Sequence, residues 1–121
     1  ALGFERRFGG RGVHANAVHP GAIVTELGRY LTREDREMLD ASRPSGQPLS
    51  FKSVEQGAAT SVWAATAPEL AGRGGLYLED CHVAGPAQEG RDEGYHPYAL
   101  DPGQADRLWE LSEALVGQKI T

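Results

Sequence analysis

The residues of this chain with the clearest chemical potential form a proline–glycine turn. Residues 13–25 read Val-His-Ala-Asn-Ala-Val-His-Pro-Gly-Ala-Ile-Val-Thr, which predicts a buried strand running into Pro20-Gly21. Pro20 fixes its own φ and stiffens the exit from the strand, while Gly21 lacks a Cβ and lets a flat ring approach the backbone. This layout suits one edge of a nucleotide site. Taken alone, it also fits a plainer interpretation, in which Pro20-Gly21 is only a tight turn and Thr25 only a helix cap.

Histidine and cysteine could in principle form a metal or acid–base site, because imidazole titrates near neutral pH and binds zinc. The spacing argues against such a site. His14 and His19 would point to opposite faces of an extended strand, and Cys81-His82 has no second cysteine pair nearby in sequence. No Gly-x-Ser-x-Gly motif of an acyl-transfer enzyme is present either. The sequence therefore predicts no metal site and no acyl-transfer chemistry.

Composition limits the class of protein. The chain has 121 residues and a formal charge of −5, from 17 acidic and 12 basic residues without a basic stripe, so we expect no nucleic-acid partner. A single cysteine, Cys81, excludes an internal disulfide and favours a cytoplasmic location. No apolar run approaches the roughly 20 residues of a membrane helix, so no membrane association is expected.

Several elements must position the proline–glycine turn. Capping boxes at Thr32/Asp35 and Ser53/Gln56, with Asp101-Pro102 later on, mark helix starts. The predicted helices are 1–8, 25–31, 32–41, 54–66 and a last one after Asp101. That last helix is expected to dock through Leu108, Trp109 and Leu115.

A second buried strand is predicted at 76–78, after Gly74-Gly75. Strands that are apolar on both faces favour a parallel sheet covered by helices. Residues 42–52 and 85–98 are rich in proline, glycine and polar residues and are predicted as surface loops. The predicted class is therefore α/β.

The order of these elements resembles the C-terminal part of the short-chain dehydrogenase/reductase family over nearly the whole chain. Residues 16–25 match the family's strand followed by Pro-Gly-x-Ile/Val-x-Thr. The Ser-Val-Glu-Gln-Gly-Ala helix start at 53–58 and the Gly-Gly-Leu-Tyr-Leu strand at 74–78 follow at matching separations. Residues 78–84 and 98–112 are similar to the retinol dehydrogenase-like branch. The resemblance implies one Rossmann-like, doubly wound parallel sheet, of which residues 1–121 would be the C-terminal fragment, with two strands and about four to five helices.

The same resemblance implies a cofactor wall. It places Pro20 and Gly21 beside the nicotinamide of NAD or NADP, has the backbone of Ile23 bind the carboxamide, and has the Thr25 hydroxyl contact the carboxamide or a phosphate oxygen. Residues 26–52 would form the substrate-binding lid, and 85–121 the C-terminal loop and helix. Candidate substrate contacts in the lid are Leu27, Tyr30 and Leu31, and Met38 and Leu39 could also wall an apolar pocket.

The family's reaction also needs a glycine-rich turn and a Ser plus Tyr-x-x-x-Lys set, and neither is found in this sequence. We therefore expect no catalytic residue in this chain. The chain would be part of an NAD(P)-dependent oxidoreductase that acts on an alcohol or carbonyl substrate, and it would be inactive by itself. A homo-oligomer is a possible assembly. Two alternatives stay open. One is a noncatalytic binding or scaffolding module that uses the lid groove and the last helix, and the other is a truncated, marginally folded product.

Overall fold

The protein has an α/β architecture in a computed structural model that describes residues 1–120. The α-helices are α1 (Leu2–Phe8), α2 (Arg33–Ala41), α3 (Val54–Thr66) and α4 (Pro102–Val116). The strands are β1 (Ala17–His19), β2 (Tyr77–Glu79) and β3 (His82–Val83). Short 3₁₀ helices lie at Gly9–Arg11, Glu26–Tyr30, Pro68–Leu70 and Pro97–Leu100.

The three strands form one sheet in the order β1-β2-β3. β1 and β2 are parallel, which confirms the predicted pair, and their last residues, His19 and Glu79, lie side by side. β3 is antiparallel to β2, so the sheet is mixed; the sequence-based prediction omitted this two-residue strand. The turn between β2 and β3 consists of Asp80 (φ 46°) and Cys81 (φ 55°). Non-glycine residues rarely adopt positive φ, so the sequence carries no clear signal for this hairpin.

Local capping explains why the predicted helices form where they do. At the start of α3, the Ser53 hydroxyl accepts from the Gln56 N–H at 3.2 Å, and the Gln56 side chain accepts from the Ser53 N–H at 2.9 Å. Thr32 and Asp35 make the same reciprocal pair at α2. These two helices are confirmed. The helix predicted at 25–31 is instead a 3₁₀ turn at Glu26–Tyr30.

The buried core is small and lies between α3 and the sheet. Its buried apolar residues are Leu70, Leu78 and Ala84, and Thr60 of α3 is 1% exposed. Gly57 of α3 is also buried, and Ile23 occupies the space above it. Because α3 presents small residues to the sheet, the Pro20-Gly21 segment lies close to its first turns.

Helix α4 packs on α1 through Trp109, through Ala105 against the buried Gly3, and through Asp106, which pairs with Arg7 at 2.9 Å. The ring centroid of Trp109 lies 6.4 Å from that of Phe4 and 5.9 Å from that of Phe8. Leu108 and Leu115 are 65% and 78% exposed, so the prediction that they dock is wrong. The reason is geometric: α1 covers a single face of α4, and Trp109 lies on that face. Within residues 1–120, no helix combines the length and apolar character needed to cross a bilayer.

Candidate functional site

A cleft of about 730 Å³ lies at the carboxyl ends of the two parallel strands. His19 and Glu79, the last residues of β1 and β2, both line it, together with Gly21 from the proline–glycine turn. Its other walls come from residues 42–52 and 90–93. In α/β folds the carboxyl ends of parallel strands are the usual position of ligands. This cleft is therefore the candidate functional site.

The proline–glycine turn requires a glycine because of its backbone conformation. Gly21 has φ +88°, a conformation that side chains disfavour. A Cβ at Gly21 would also lie 2.9 Å from the Cδ, Cε and Nζ atoms of Lys52. The Lys52 N–H donates to the Ala22 carbonyl oxygen at 2.8 Å, so Lys52 is joined to the turn by its backbone as well. The space that a flat ring would use beside Gly21 is thus occupied by the Lys52 side chain.

The other predicted cofactor residues lie outside the cleft lining. Pro20, Ile23 and Thr25 do not line it, and Ile23 packs against Gly57 instead. The Thr25 hydroxyl accepts from the Leu27 N–H at 3.3 Å and caps the 3₁₀ helix Glu26–Tyr30. Thr25 is therefore a helix cap in this structure. Its contact with a cofactor, and those of Pro20 and Ile23, stay predictions.

The predicted substrate contacts also lie away from the cleft. Leu27 and Tyr30 are 90% and 81% exposed, Leu31 is partly exposed, and none of the three lines the cleft. Leu39, which the sequence also offered as a wall of an apolar pocket, does line the cleft, together with Leu49. Substrate binding by Leu27, Tyr30 and Leu31 stays a prediction.

Two acidic residues connect the cleft walls, and sequence reasoning did not find either. Asp80, in the β2–β3 turn, pairs with the Lys52 ammonium. Asp92 pairs with Arg43 and accepts from both the backbone and the hydroxyl of Ser45. The Ser45 hydroxyl, aided by the Ser45 N–H and Arg43, lowers the pKa of Asp92 below its ordinary value. These partners are 28 and 47 to 49 positions apart, so no local pattern could have revealed them.

Glu79 is a buried carboxylate at the end of β2 that sequence reasoning also missed. It is 6% exposed and accepts from the Gly94 N–H at 2.9 Å, which holds the 85–98 loop against the sheet. His82 Nε2 lies 3.9 Å from the same oxygen. A buried carboxylate needs such donors, because leaving it unpaired is costly. Glu79 therefore anchors the loop that carries Asp92.

The histidines do not form a shared site in the described part of the chain. His14 Nδ1 lies 2.9 Å from Glu5 Oε1. The sequence predicted that His14 and His19 share a strand, but His14 precedes β1. Across residues 1–120, no three His, Cys, Asp or Glu residues are grouped so as to hold a metal ion.

Curated proteins of similar sequence are oxidoreductases. Short-chain dehydrogenase/reductase prx1 of Penicillium rubens is 42% identical over 110 residues, which cover 89% of this chain and 32% of that protein. Oxidoreductase calI of Penicillium decumbens is 45% identical over 121 residues, covering 94% of this chain and 35% of that protein. Retinol dehydrogenase 14 of Mus musculus is 34% identical over 115 residues, which cover 93% of this chain and 30% of that protein. No family model matches the chain.

The fold and the position of the cleft define the class of this protein. It is an α/β chain of partial Rossmann-like architecture, with its candidate site at the carboxyl ends of parallel strands. Within that class, the chain is homologous to the short-chain dehydrogenase/reductases, which confirms the family resemblance. It spans about a third of the length of the curated relatives it matches.

Proposed function

We propose that this chain forms one wall of the cofactor and substrate site of an NAD(P)-dependent oxidoreductase that interconverts an alcohol and a carbonyl compound, as the C-terminal part of that enzyme. The observation that carries the proposal is the position of Gly21, in a cleft at the carboxyl ends of β1 and β2. The oxidoreductase names of the relatives support it.

The residues present fit a nicotinamide cofactor in part. Gly21 offers backbone without a side chain, but Lys52 must move before a ring can reach it. The Thr25 hydroxyl accepts one hydrogen bond from Leu27, and because a hydroxyl also donates, its hydrogen is left for an acceptor on the ligand. Ile23 is held by α3, which would keep its backbone in place beside the turn. When bound, NAD or NADP would supply or accept the hydride.

The chain by itself lacks the groups that move a proton in this reaction. None of its tyrosines has a lysine four residues later: the residues after Tyr30, Tyr77, Tyr95 and Tyr98 at that spacing are Glu34, Cys81, Ala99 and Pro102. In a complete active site the tyrosine passes the proton while the lysine lowers its pKa. This chain therefore binds and orients, and it is not a competent catalyst alone.

Titration of the isolated chain with NADP⁺ and NAD⁺ tests this proposal. Calorimetry is expected to show no saturable micromolar binding, because the glycine-rich turn for the pyrophosphate is not in this sequence. Such binding would contradict the proposal that this chain forms only one wall of the cofactor site. At millimolar cofactor, amide NMR shifts are expected around Gly21 and Ala22. Shifts confined to residues outside the cleft would contradict its assignment as a cofactor wall.

A second candidate function is a noncatalytic scaffolding role. The observation that favours it is the exposure of three leucines along α4, Leu108, Leu111 and Leu115. Size-exclusion chromatography with light scattering separates the two: a chain that stays monomeric and ignores added proteins argues against scaffolding, while self-association would support a homo-oligomer.

A further inference from the structure

The 42–52 segment is held against the rest of the protein at two places. At the outer end, Asp92 Oδ2 accepts from the Ser45 hydroxyl at 2.6 Å and pairs with Arg43, while Asp92 Oδ1 accepts from the Ser45 N–H at 3.1 Å. The side chains of Arg43 and Asp92 are 22% and 26% exposed, so this contact is partly shielded from water. One carboxylate thus joins two loops that are distant in sequence.

At the inner end, Lys52 makes three contacts near the proline–glycine turn. Its ammonium pairs with Asp80, its N–H donates to Ala22, and its side chain lies over Gly21. Asp80 belongs to the β2–β3 turn, whose backbone is held by the bond from the Cys81 N–H to Thr60. The inner contact therefore includes a backbone hydrogen bond, from Lys52 to Ala22, whereas the outer contact is made by the Asp92 side chain alone, on a loop that Glu79 holds through Gly94.

We propose that these two contacts form a clasp that keeps residues 42–52 closed against the cleft, and that the clasp opens at Asp92. Arg43, Ser45, Lys52, Asp80 and Asp92 all line the cleft, so opening its outer half widens the path to Gly21. The use of this opening for ligand entrance rests on the proposed function. The clasp itself does not.

Three features of the 42–52 segment favour opening at its outer half. Arg43 Nη1 is buried and has no hydrogen-bond partner among residues 1–120, and such a donor regains water when the loop opens. Pro44 and Pro48 remove backbone donors from the segment and prevent it from forming regular structure. The inner half keeps a backbone bond, Lys52 to Ala22, which does not depend on Asp92. Opening should therefore begin at Arg43 and Ser45.

Hydrogen exchange of the 121-residue chain tests the clasp, with Asp92→Ala as the variant and Glu93→Ala as its matched control. Glu93 is the neighbouring carboxylate, and it pairs with Arg91 at 3.6 Å rather than with the 42–52 segment. The reporters are the amides of Gly46 and Leu49, whose acceptors are the Arg43 carbonyl and Asp40, so neither loses its own partner in the variant.

In Asp92→Ala, both reporter amides are expected to exchange about tenfold faster, because hydrogen bonds to a charged group are lost from the closed state. Glu93→Ala should leave them unchanged. The amides of Gly57 and Ala84, in α3 and beside β2, should exchange alike in all three proteins.

Unchanged exchange of Gly46 and Leu49 in Asp92→Ala would overturn the proposal. Equal acceleration of Gly57 and Ala84 would also overturn it, because it would show global unfolding instead of local opening. No cofactor enters this experiment. A failed clasp therefore leaves the proposed function standing, and failed cofactor binding leaves the clasp standing.

Discussion

The Thr60 hydroxyl accepts a hydrogen bond from the Cys81 N–H at 3.2 Å, which joins α3 to the turn between β2 and β3. Thr60 is 1% exposed, so water cannot replace this bond. The turn also carries Asp80, the partner of Lys52. One buried hydroxyl therefore links the core to the wall of the cleft.

Replacing Thr60 with valine should destabilise the protein by about 1–3 kcal/mol, because the shape is kept while the Cys81 N–H loses its acceptor. Urea unfolding measures the change. Thr66→Val is the matched control: Thr66 is exposed at the end of α3, and among residues 1–120 its hydroxyl bonds the Val62 carbonyl alone. An equal loss of stability in both variants would contradict this role of Thr60.

Glycine at position 81 should stabilise the turn. Cys81 has φ +55°, and a left-handed conformation costs an L-residue about 1–2 kcal/mol. The greater freedom of glycine in the unfolded chain offsets about 0.4–1 kcal/mol of the gain. The expected net effect of Cys81→Gly is about 0.5–1 kcal/mol of added stability in thermal unfolding. Cys81→Ala keeps the Cβ and should give no such gain, so a similar gain from alanine would refute the strain argument.

Alanine at position 57 should disturb the proline–glycine segment. A Cβ there would lie 2.5 Å from Ile23 Cγ1 and 2.7 Å from Cδ1. Overpacking of this kind lowers the free energy of unfolding by about 1–3 kcal/mol. The higher helix propensity of alanine offsets up to about 1 kcal/mol of this loss. In urea unfolding, Gly10→Ala is the control, since nothing lies within 4 Å of that position.

The double variant Ile23→Ala with Gly57→Ala tests whether Ile23 is the cause. Removing the Ile23 side chain beyond Cβ makes room for the new methyl group, so the double variant should lose less stability than the sum of the single variants. Strict additivity would show that the cost of Gly57→Ala arises elsewhere.

The Glu113 carboxylate should titrate below its ordinary value of 4.5, because it accepts from the Ile120 N–H and from Trp109 Nε1, and both bonds lower its pKa. The pKa of Glu113 is lower in the folded protein than in the unfolded chain. Its ionised carboxylate therefore stabilises the folded protein fully above about pH 4.5, and this contribution is lost as the pH falls through the pKa of the folded state. Carboxyl NMR titration measures the midpoint.

Trp109→Phe should raise the pKa of Glu113 while keeping an aromatic ring against Phe4 and Phe8. Trp63→Phe is the matched control, because the Trp63 indole donates to a different carboxylate, Glu69. The backbone N–H of Glu69 lowers the pKa of that carboxyl most, and the bond from Trp63 lowers it further. If the titration midpoint of Glu113 is unchanged in Trp109→Phe, or shifts equally in Trp63→Phe, the bond from Trp109 is not a cause of the lowered pKa.

Sequence patterns predicted the elements that depend on near neighbours. Helix α3 begins and ends at the predicted residues because Ser53 and Gln56 satisfy each other's backbone donors within one turn. The parallel pairing of β1 with β2 was predicted because strands that are apolar on both faces must be covered by helices. The hairpin of β2 and β3 was missed, since Asp80 is followed by Cys81 and not by the glycine of a typical Asp-Gly hairpin turn.

The sequence by itself determined the limits of α2 and α3 and the proline–glycine turn at Pro20-Gly21, which rest on short spacings, and the family resemblance, which rests on the order of motifs along the chain. Only the tertiary structure decided that Gly21 lies in a cleft, that Lys52 covers it, and that Asp80 and Asp92 hold the opposite wall. The physical reason is distance along the chain: a capping bond joins residues three apart, whereas an ion pair between loops exists only after the sheet has brought its partners together.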